Sequence, residues 1–120
     1  MEVYKMKKIE AIIRPEKLGA VKDALEVKGI LGMTVTNVSG RGRQKGIALQ
    51  WRAGEYRVDF LPKVKIELVL SDEECQPTIE IICRAAKTGR EGDGMIFVLP
   101  VENALRVRTS DAGEECFSSR

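Results

Sequence analysis

The sequence contains no histidine, and this absence removes several kinds of chemistry. It excludes Ser-His-Asp and Cys-His nucleophile activation, phosphohistidine chemistry and the commonest metal-binding side chain. The three cysteines, Cys75, Cys83 and Cys116, have no metal-ligand spacing, so we expect reduced thiols in a cytoplasmic protein. With these groups missing, binding is a better expectation than catalysis.

Long apolar runs and aromatic residues are also scarce. No stretch approaches the ~20 apolar residues of a membrane span, and residues 1–8 lack the apolar centre of a signal peptide. An RNA-binding sheet would need exposed aromatic side chains that stack bases, and because only Phe97 lies within the core of a predicted strand, this alternative ranks last. The 120 residues, 43% apolar and 32% charged, fit one globular domain, which we place at residues 1–109 before a disordered tail at 110–120.

Hydrophobic periodicity predicts two strand-helix-strand halves joined by a long loop. Strands are predicted at residues 7–14, 33–39, 63–70 and 95–99, with Pro100 ending the last, and a short alternating segment follows at 105–109. Helices are predicted between Pro15 and Gly29 and between Ser71 and Gly89. In the second helix Pro77 predicts a kink or a shifted start, and the buried stripe is expected at Ile79, Ile82, Cys83 and Ala86.

This order predicts an α+β, ferredoxin-like βαββαβ sandwich with both helices on one face of the sheet. The other face would carry Ile12, Thr34, Val38 and Val69, and a homo-oligomer is a natural way to bury it.

The segment from residue 40 to residue 63 is longer than a connection between two strands requires. It contains six cations and two carboxylates, a net charge of +4, whereas the whole chain carries +2. It shows no clean strand or helix period. A long, cationic, glycine-hinged loop is suited to holding an anion, a partner protein or both.

Two glycine runs, at residues 40–46 and 89–94, could bring backbone N–H groups close to an anion. The cations Arg43, Lys45, Arg106 and Arg108 could neutralise phosphates. Neither run has the pattern of a Walker A or Rossmann loop. From the residues alone, residues 89–94 could equally be a helix stop and turn, and Arg106 and Arg108 could be a solvated strand edge.

Five motifs stand out in the chain: Met-Thr-Val-Thr at 33–36, Gly-Arg-Gln-Lys-Gly at 42–46, Tyr56 with Val-Asp-Phe-Leu-Pro-Lys-Val-Lys-Ile-Glu at 58–67, Thr-Gly at 88–89 with Gly-Asp-Gly at 92–94, and Arg-Val-Arg-Thr at 106–109. Together these motifs resemble those of the PII nitrogen-regulatory signal proteins. The resemblance covers about residues 6–109. It implies a homotrimer of ferredoxin-like subunits that binds ATP or ADP between subunits, and 2-oxoglutarate together with Mg2+ and ATP. It also implies a cytoplasmic regulator rather than an enzyme, acting on a target such as an ammonium channel or a metabolic enzyme of nitrogen or carbon.

The resemblance also assigns individual positions. Thr34 and Val69 would lie by the adenine. The phosphates and ribose would be lined by Gly42, Arg43, Gln44, Gly92, Asp93, Gly94, Met95, Arg106 and Arg108. Gln44 would ligate Mg2+ and, with Gly46 and Lys63, contact 2-oxoglutarate. Tyr56 would be the loop tyrosine that some members have nucleotidylated, and residues 42–60 would form the mobile loop that engages the target.

The chain departs from the family at Met95, where a phosphate-binding lysine is usual, and at Gly54, which replaces a serine that some members phosphorylate. Residues 47–51 are also more apolar than in enteric members. The rival hypothesis is a ferredoxin-like nucleotide-handling enzyme, in which a carboxylate such as Asp93 would have to act as the base.

Overall fold

The computed structural model describes residues 5–42, 47–51, 54–58 and 60–113. Its main sheet contains β1 (Met6–Ile13), β2 (Thr34–Gly40), β5 (Leu61–Ser71) and β6 (Gly94–Val101) in the order β2-β5-β1-β6. The paired strands are antiparallel. Two helices, α1 (Leu18–Val27) and α2 (Asp72–Ala86), connect β1 to β2 and β5 to β6. This topology confirms the predicted ferredoxin-like sandwich.

Buried and partly exposed side chains alternate strictly along most of β5, and this alternation determines which face of the sheet is buried. Val64, Ile66, Leu68 and Leu70 are all at most 4% exposed, while the charged residues between them lie on the opposite face. Val21 and Leu25 of α1 and Ile82 of α2 complete the core on the helix side. Burying each such aliphatic side chain contributes ~1.5–3 kcal/mol, which makes this layer the main source of stability.

The second helix starts at its predicted Ser71 end, but the shifted start at Pro77 and the buried stripe need correction. The helix begins at Asp72, with Ser71 as its N-cap residue, and continues through Pro77, so the shifted start was wrong. Thr78 donates its hydroxyl to the carbonyl of Glu74 at 2.7 Å within the turn that contains the proline. The buried positions are Cys75, Thr78, Ile82 and Ala86; Ile79 is only partly buried and Cys83 is exposed.

Strand β6 does not stop at Pro100 as predicted but runs on to Val101. It is an edge strand, paired only with β1 among the strands of this sheet. A proline is tolerated there because its missing N–H can fall on the unpaired side of the strand.

The segment at 105–109, predicted to be a strand, belongs instead to a turn. Leu105 forms one isolated bridge with Ala112, and the N–H of Arg106 donates to the carbonyl of Asp111 at 2.8 Å. Arg106 and Arg108 therefore do not form the strand edge that the sequence suggested. Residues 110–113, assigned to the tail from sequence, take part in this turn, and 114–120 lie outside the described residues.

The long central segment contains secondary structure that its sequence does not indicate. Strands β3 (Ile47–Trp51) and β4 (Gly54–Val58) pair antiparallel with each other and form a separate two-stranded sheet. Strand β5 then begins at Leu61, two residues before the predicted start.

Within the described part of the chain, no helix packs on the face of the main sheet opposite α1 and α2. The strand register places Ile12, Thr34, Val38 and Val69 on it, as predicted. On β6 this face presents the exposed apolar side chains of Met95, Phe97 and Leu99.

Ion pairs lie beside this apolar strip. Lys8 contacts Glu67 at 2.6 Å and Glu10 at 3.2 Å, and the hydrogen bond from Lys8 lowers the pKa of Glu67. Neither described helix is long and apolar enough to cross a membrane.

Candidate functional site

The glycine turn before β6 is organised by the carboxylate of Asp93. Oδ2 accepts the backbone N–H groups of Thr88 and Gly89, both at 2.9 Å. Oδ1 accepts the Thr88 hydroxyl and the Nε–H of Arg14, the latter at 3.0 Å. The bonds from Thr88, followed by those from Arg14 and Gly89, hold the pKa of Asp93 well below its usual range.

Two cations fasten the same turn to the sheet. Arg14, directly after β1, donates through Nη2 to the carbonyl of Glu91, and Lys63 in β5 donates to the carbonyl of Gly92. Burial, and secondarily the nearby Arg14, lowers the pKa of Lys63. The predicted effector residue Lys63 and the predicted nucleotide residues Gly92 and Asp93 therefore meet at one end of the sheet.

Gly94 is required where this turn joins β6. Its φ is +115°, and a Cβ built there would lie 1.8 Å from the carbonyl oxygen of Ile12. A larger residue would separate β6 from β1 at this point. The next residue, Met95, pairs with Ile12 on the uncovered face and is 60% exposed.

A cleft of about 610 Å³ lies at the opposite end of the sheet. It brings together Thr34, Val69 and Arg106, three of the residues that the resemblance assigns to the nucleotide. Lys8 and Glu67 also line it, so the cleft combines apolar walls with an ion pair. Arg108 follows in the exposed part of the turn.

The two groups of predicted residues lie far apart within one chain. Gly94 and Val101 are the two ends of β6, and seven steps of ~3.3 Å separate them by about 23 Å. The glycine turn lies beyond the first end and Arg106 beyond the second. Arg106 and the glycine turn of one chain are therefore too far apart to contact the same phosphate, whereas Thr34 lies between them, level with Phe97.

Three of the predicted site residues lie in a part of the chain that the structure does not describe. Arg43, Gln44 and Gly46, and with them the proposed Mg2+ ligand, lie outside the described residues. Gly42 is exposed at the end of the segment that follows β2, and Tyr56 lies in β4, where it pairs with Leu49.

Sequence reasoning missed three residues of the site region. Arg14 and Thr88 hold the glycine turn, and the Arg41 guanidinium lies 5.8 Å from the centre of the Phe60 ring. The position of Arg14 at the end of β1, just before Pro15, was the available signal. Its partner is 79 residues away in the sequence and could not be inferred.

The sequence and the fold match those of known proteins. A family model described as nitrogen regulatory protein P-II matches residues 6–111. The chain belongs to this family. The P-II protein of Bradyrhizobium diazoefficiens is 57% identical over 108 residues, covering 90% of this chain and 96% of that protein. P-II 2 of Methanothermobacter thermautotrophicus is 53% identical over 110 residues, covering 92% and 96%.

A solved structure of the P-II family gives the same result for the fold. The crystal structure of Arabidopsis thaliana PII bound to citrate superposes with a TM-score of 0.76 at 40% identity, covering 92% of this chain and 91% of that one. The resemblance found in the sequence is confirmed. The names of these relatives describe regulatory proteins, which fits the prediction that the chain is not an enzyme.

Proposed function

We propose that this P-II chain is a cytoplasmic signal transducer that binds ATP or ADP in clefts between the subunits of a homotrimer. In this proposal 2-oxoglutarate joins when ATP is bound with Mg2+. The segment 42–60, with its β3–β4 hairpin, then engages or releases a target such as an ammonium channel or a nitrogen or carbon metabolic enzyme.

The observation that carries the proposal is the separation of Arg106 from the glycine turn by the length of β6. Arg106 lies beyond the Val101 end of β6 and Val69 lies level with Leu99 near that end, whereas Lys63 and the glycine turn lie at the other end; Thr34 is level with Phe97, between them. A nucleotide that contacts both Arg106 and the glycine turn is therefore best explained by two copies of the chain. The apolar side chains of Phe97 and Leu99 on the open face of β6 support such assembly, because burying them removes them from water, while Met95 lies beside the glycine turn.

Charge at the glycine-turn end supports an anionic effector. Lys63 and Arg14 both reach this end of the sheet. Citrate, named as the ligand in the Arabidopsis structure, is a small carboxylate anion, which favours the hypothesis that this fold accepts such effectors. We place 2-oxoglutarate near Lys63 and, from the family resemblance, near Gln44 and Gly46.

Calorimetric titration tests the proposal directly. ATP and ADP are titrated separately, each with and without 2-oxoglutarate and Mg2+, and the mass of the assembly is measured by light scattering. We expect nucleotide binding by a trimer, with 2-oxoglutarate binding only when Mg2+ and ATP are present. A monomer that binds nucleotide, or a trimer that binds none, would refute the shared site.

The rival enzymatic function has less support from the site. A general base needs an accessible carboxylate with a pKa near the working pH. Asp93 instead accepts four hydrogen bonds, and its pKa is far below its usual range. ATP hydrolysis above a trace rate, lost in Asp93→Asn, would favour the enzyme.

Tyr56 is the proposed modification site, since it matches the family's loop tyrosine. Mass spectrometry of protein from nitrogen-starved and nitrogen-replete cells tests this assignment. Absence of a nucleotidylated peptide under both conditions would refute it.

A further inference from the structure

The carboxylate of Asp93 is turned into its own loop rather than outward. Both of its oxygens are occupied, by Thr88 and Gly89 of the same turn and by Arg14 of the sheet. The Thr88 hydroxyl in turn accepts the N–H of Arg90 at 3.1 Å. Asp93 is thus the centre of a network that fixes the conformation of residues 88–93.

The same network determines the direction of two peptide groups. In a trans peptide the carbonyl of one residue and the N–H of the next point in opposite directions, and the described chain contains no cis peptide. Arg14 and Lys63 hold the carbonyls of Glu91 and Gly92 on their own side of the turn. The N–H groups of Gly92 and Asp93 must therefore point to the opposite side.

Two successive N–H groups on one side of a glycine turn form an arrangement that binds anions. We propose that Asp93 is a positioning residue, whose carboxylate contacts no nucleotide but holds the turn so that these N–H groups meet the phosphates. The assignment rests on the proposed nucleotide function. It replaces the simpler expectation that the Asp93 side chain itself lines the phosphates or the ribose.

The three roles for Asp93 predict different responses to Asp93→Asn, which keeps the shape of the side chain but removes its charge. A positioning role predicts weaker binding of ADP and little change for adenosine, which has no phosphate. A carboxylate facing the phosphates predicts the opposite sign, because removing like-charge repulsion tightens ADP binding. A ribose contact predicts equal losses for ADP and adenosine.

The experiment measures ADP by calorimetry and adenosine by NMR titration, using the full-length protein. We expect Asp93→Asn to weaken ADP at least tenfold and adenosine less than twofold. Thr88→Val should reproduce this loss, whereas Thr88→Ser, which keeps the hydroxyl, should bind ADP as the wild type does. The double variant Asp93→Asn, Thr88→Val should be no weaker than the worse single variant, because both changes break one network.

Asp23→Asn is the matched control, since it makes the same chemical change on the exposed surface of α1. Its ADP affinity should equal that of the wild type. If Asp93→Asn does not fold, Thr88→Val and Thr88→Ser still test the network together with Arg14→Gln, which removes the charge of the other side chain that bonds Asp93 Oδ1 and should also weaken ADP more than adenosine. Three outcomes would each overturn the inference. The first two concern Asp93→Asn: tighter binding of ADP, or equal losses of affinity for ADP and adenosine. The third is equal ADP affinity in Thr88→Val and Thr88→Ser. Failure of the wild type to bind ADP would instead overturn the proposed function, and this inference with it.

Discussion

Replacing Gly94 by alanine should destabilise the protein far more than the same change at Gly89. Both glycines have positive φ, +115° for Gly94 and +86° for Gly89, so both substitutions strain the backbone. That strain alone costs ~1–3 kcal/mol. At Gly89 nothing lies within 4 Å of the new Cβ, so no further cost is expected.

At Gly94 the new Cβ would lie 1.8 Å from the carbonyl oxygen of Ile12, where real contacts are essentially never under 3.0 Å. The backbone must therefore move by more than 1 Å, at the place where Ile13 pairs with Gly94. Overpacking of this kind adds ~1–3 kcal/mol to the strain. We expect Gly94→Ala to lose about 2–6 kcal/mol of unfolding free energy, about 2 kcal/mol more than Gly89→Ala.

Urea unfolding of both variants at one chain concentration measures this difference, because assembly makes stability depend on concentration. Gly89→Ala is the control for the backbone strain. If the two variants unfold with free energies within ~0.5 kcal/mol of each other, the close approach of β1 to Gly94 does not determine the stability of this strand pair.

Four further predictions follow from the site and the loop. Lys63→Ala should weaken 2-oxoglutarate binding at least tenfold and ATP binding less, since a charge-assisted contact is worth ~1.5–3 kcal/mol; unchanged 2-oxoglutarate affinity in calorimetry would contradict it. Met95→Lys should strengthen ATP and ADP binding about tenfold by adding a phosphate donor next to the glycine turn, and equal affinities would show that position 95 does not face the phosphates. Deleting residues 47–57 should leave a folded assembly, by circular dichroism and light scattering, that no longer captures its target; retained capture would make the hairpin a passive insertion. The depressed pKa of Asp93 stabilises the folded state above its unfolded pKa of ~3.9, and this contribution is lost as the pH falls through the lower folded pKa. The unfolding free energy, measured by circular dichroism at a series of pH values, should therefore fall more steeply below about pH 4 for the wild type than for Asp93→Asn. An identical dependence on pH in the two proteins would show that the network adds no stability.

The core of the fold could be predicted because its signals are local. The alternation of apolar and charged residues in β5 lies within one segment of the chain. The same is true of the apolar stripe of α1, formed by Leu18, Val21 and Leu25. The β3–β4 hairpin was missed because apolar and polar residues do not alternate along Ile47–Trp51. This segment is defined as a strand by its hydrogen-bonded pairing with β4, which its own sequence does not indicate. Residues 105–109 were misjudged because Leu-Arg-Val-Arg alternates as a strand does, although the chain turns there and bridges back to Ala112.

The site was predictable in its composition but not in its geometry. The Gly-Asp-Gly motif identified the turn, yet the inward direction of Asp93 depends on Arg14, 79 residues earlier. The separation of Arg106 from the glycine turn likewise depends on strand order and length, which no single motif contains. Long-range hydrogen bonds and strand register are therefore what the structure adds to the sequence.

The distance between the two ends of β6 has a genetic consequence if the site is shared as proposed. Each chain then contributes one half of a site to each of two neighbours. A chain defective at both ends disables two sites in any ring that it enters. In cells that express both forms and mix them at random, the fraction of intact sites falls as the square of the wild-type fraction. Such an allele would be partly dominant, whereas an allele that prevents assembly would be recessive.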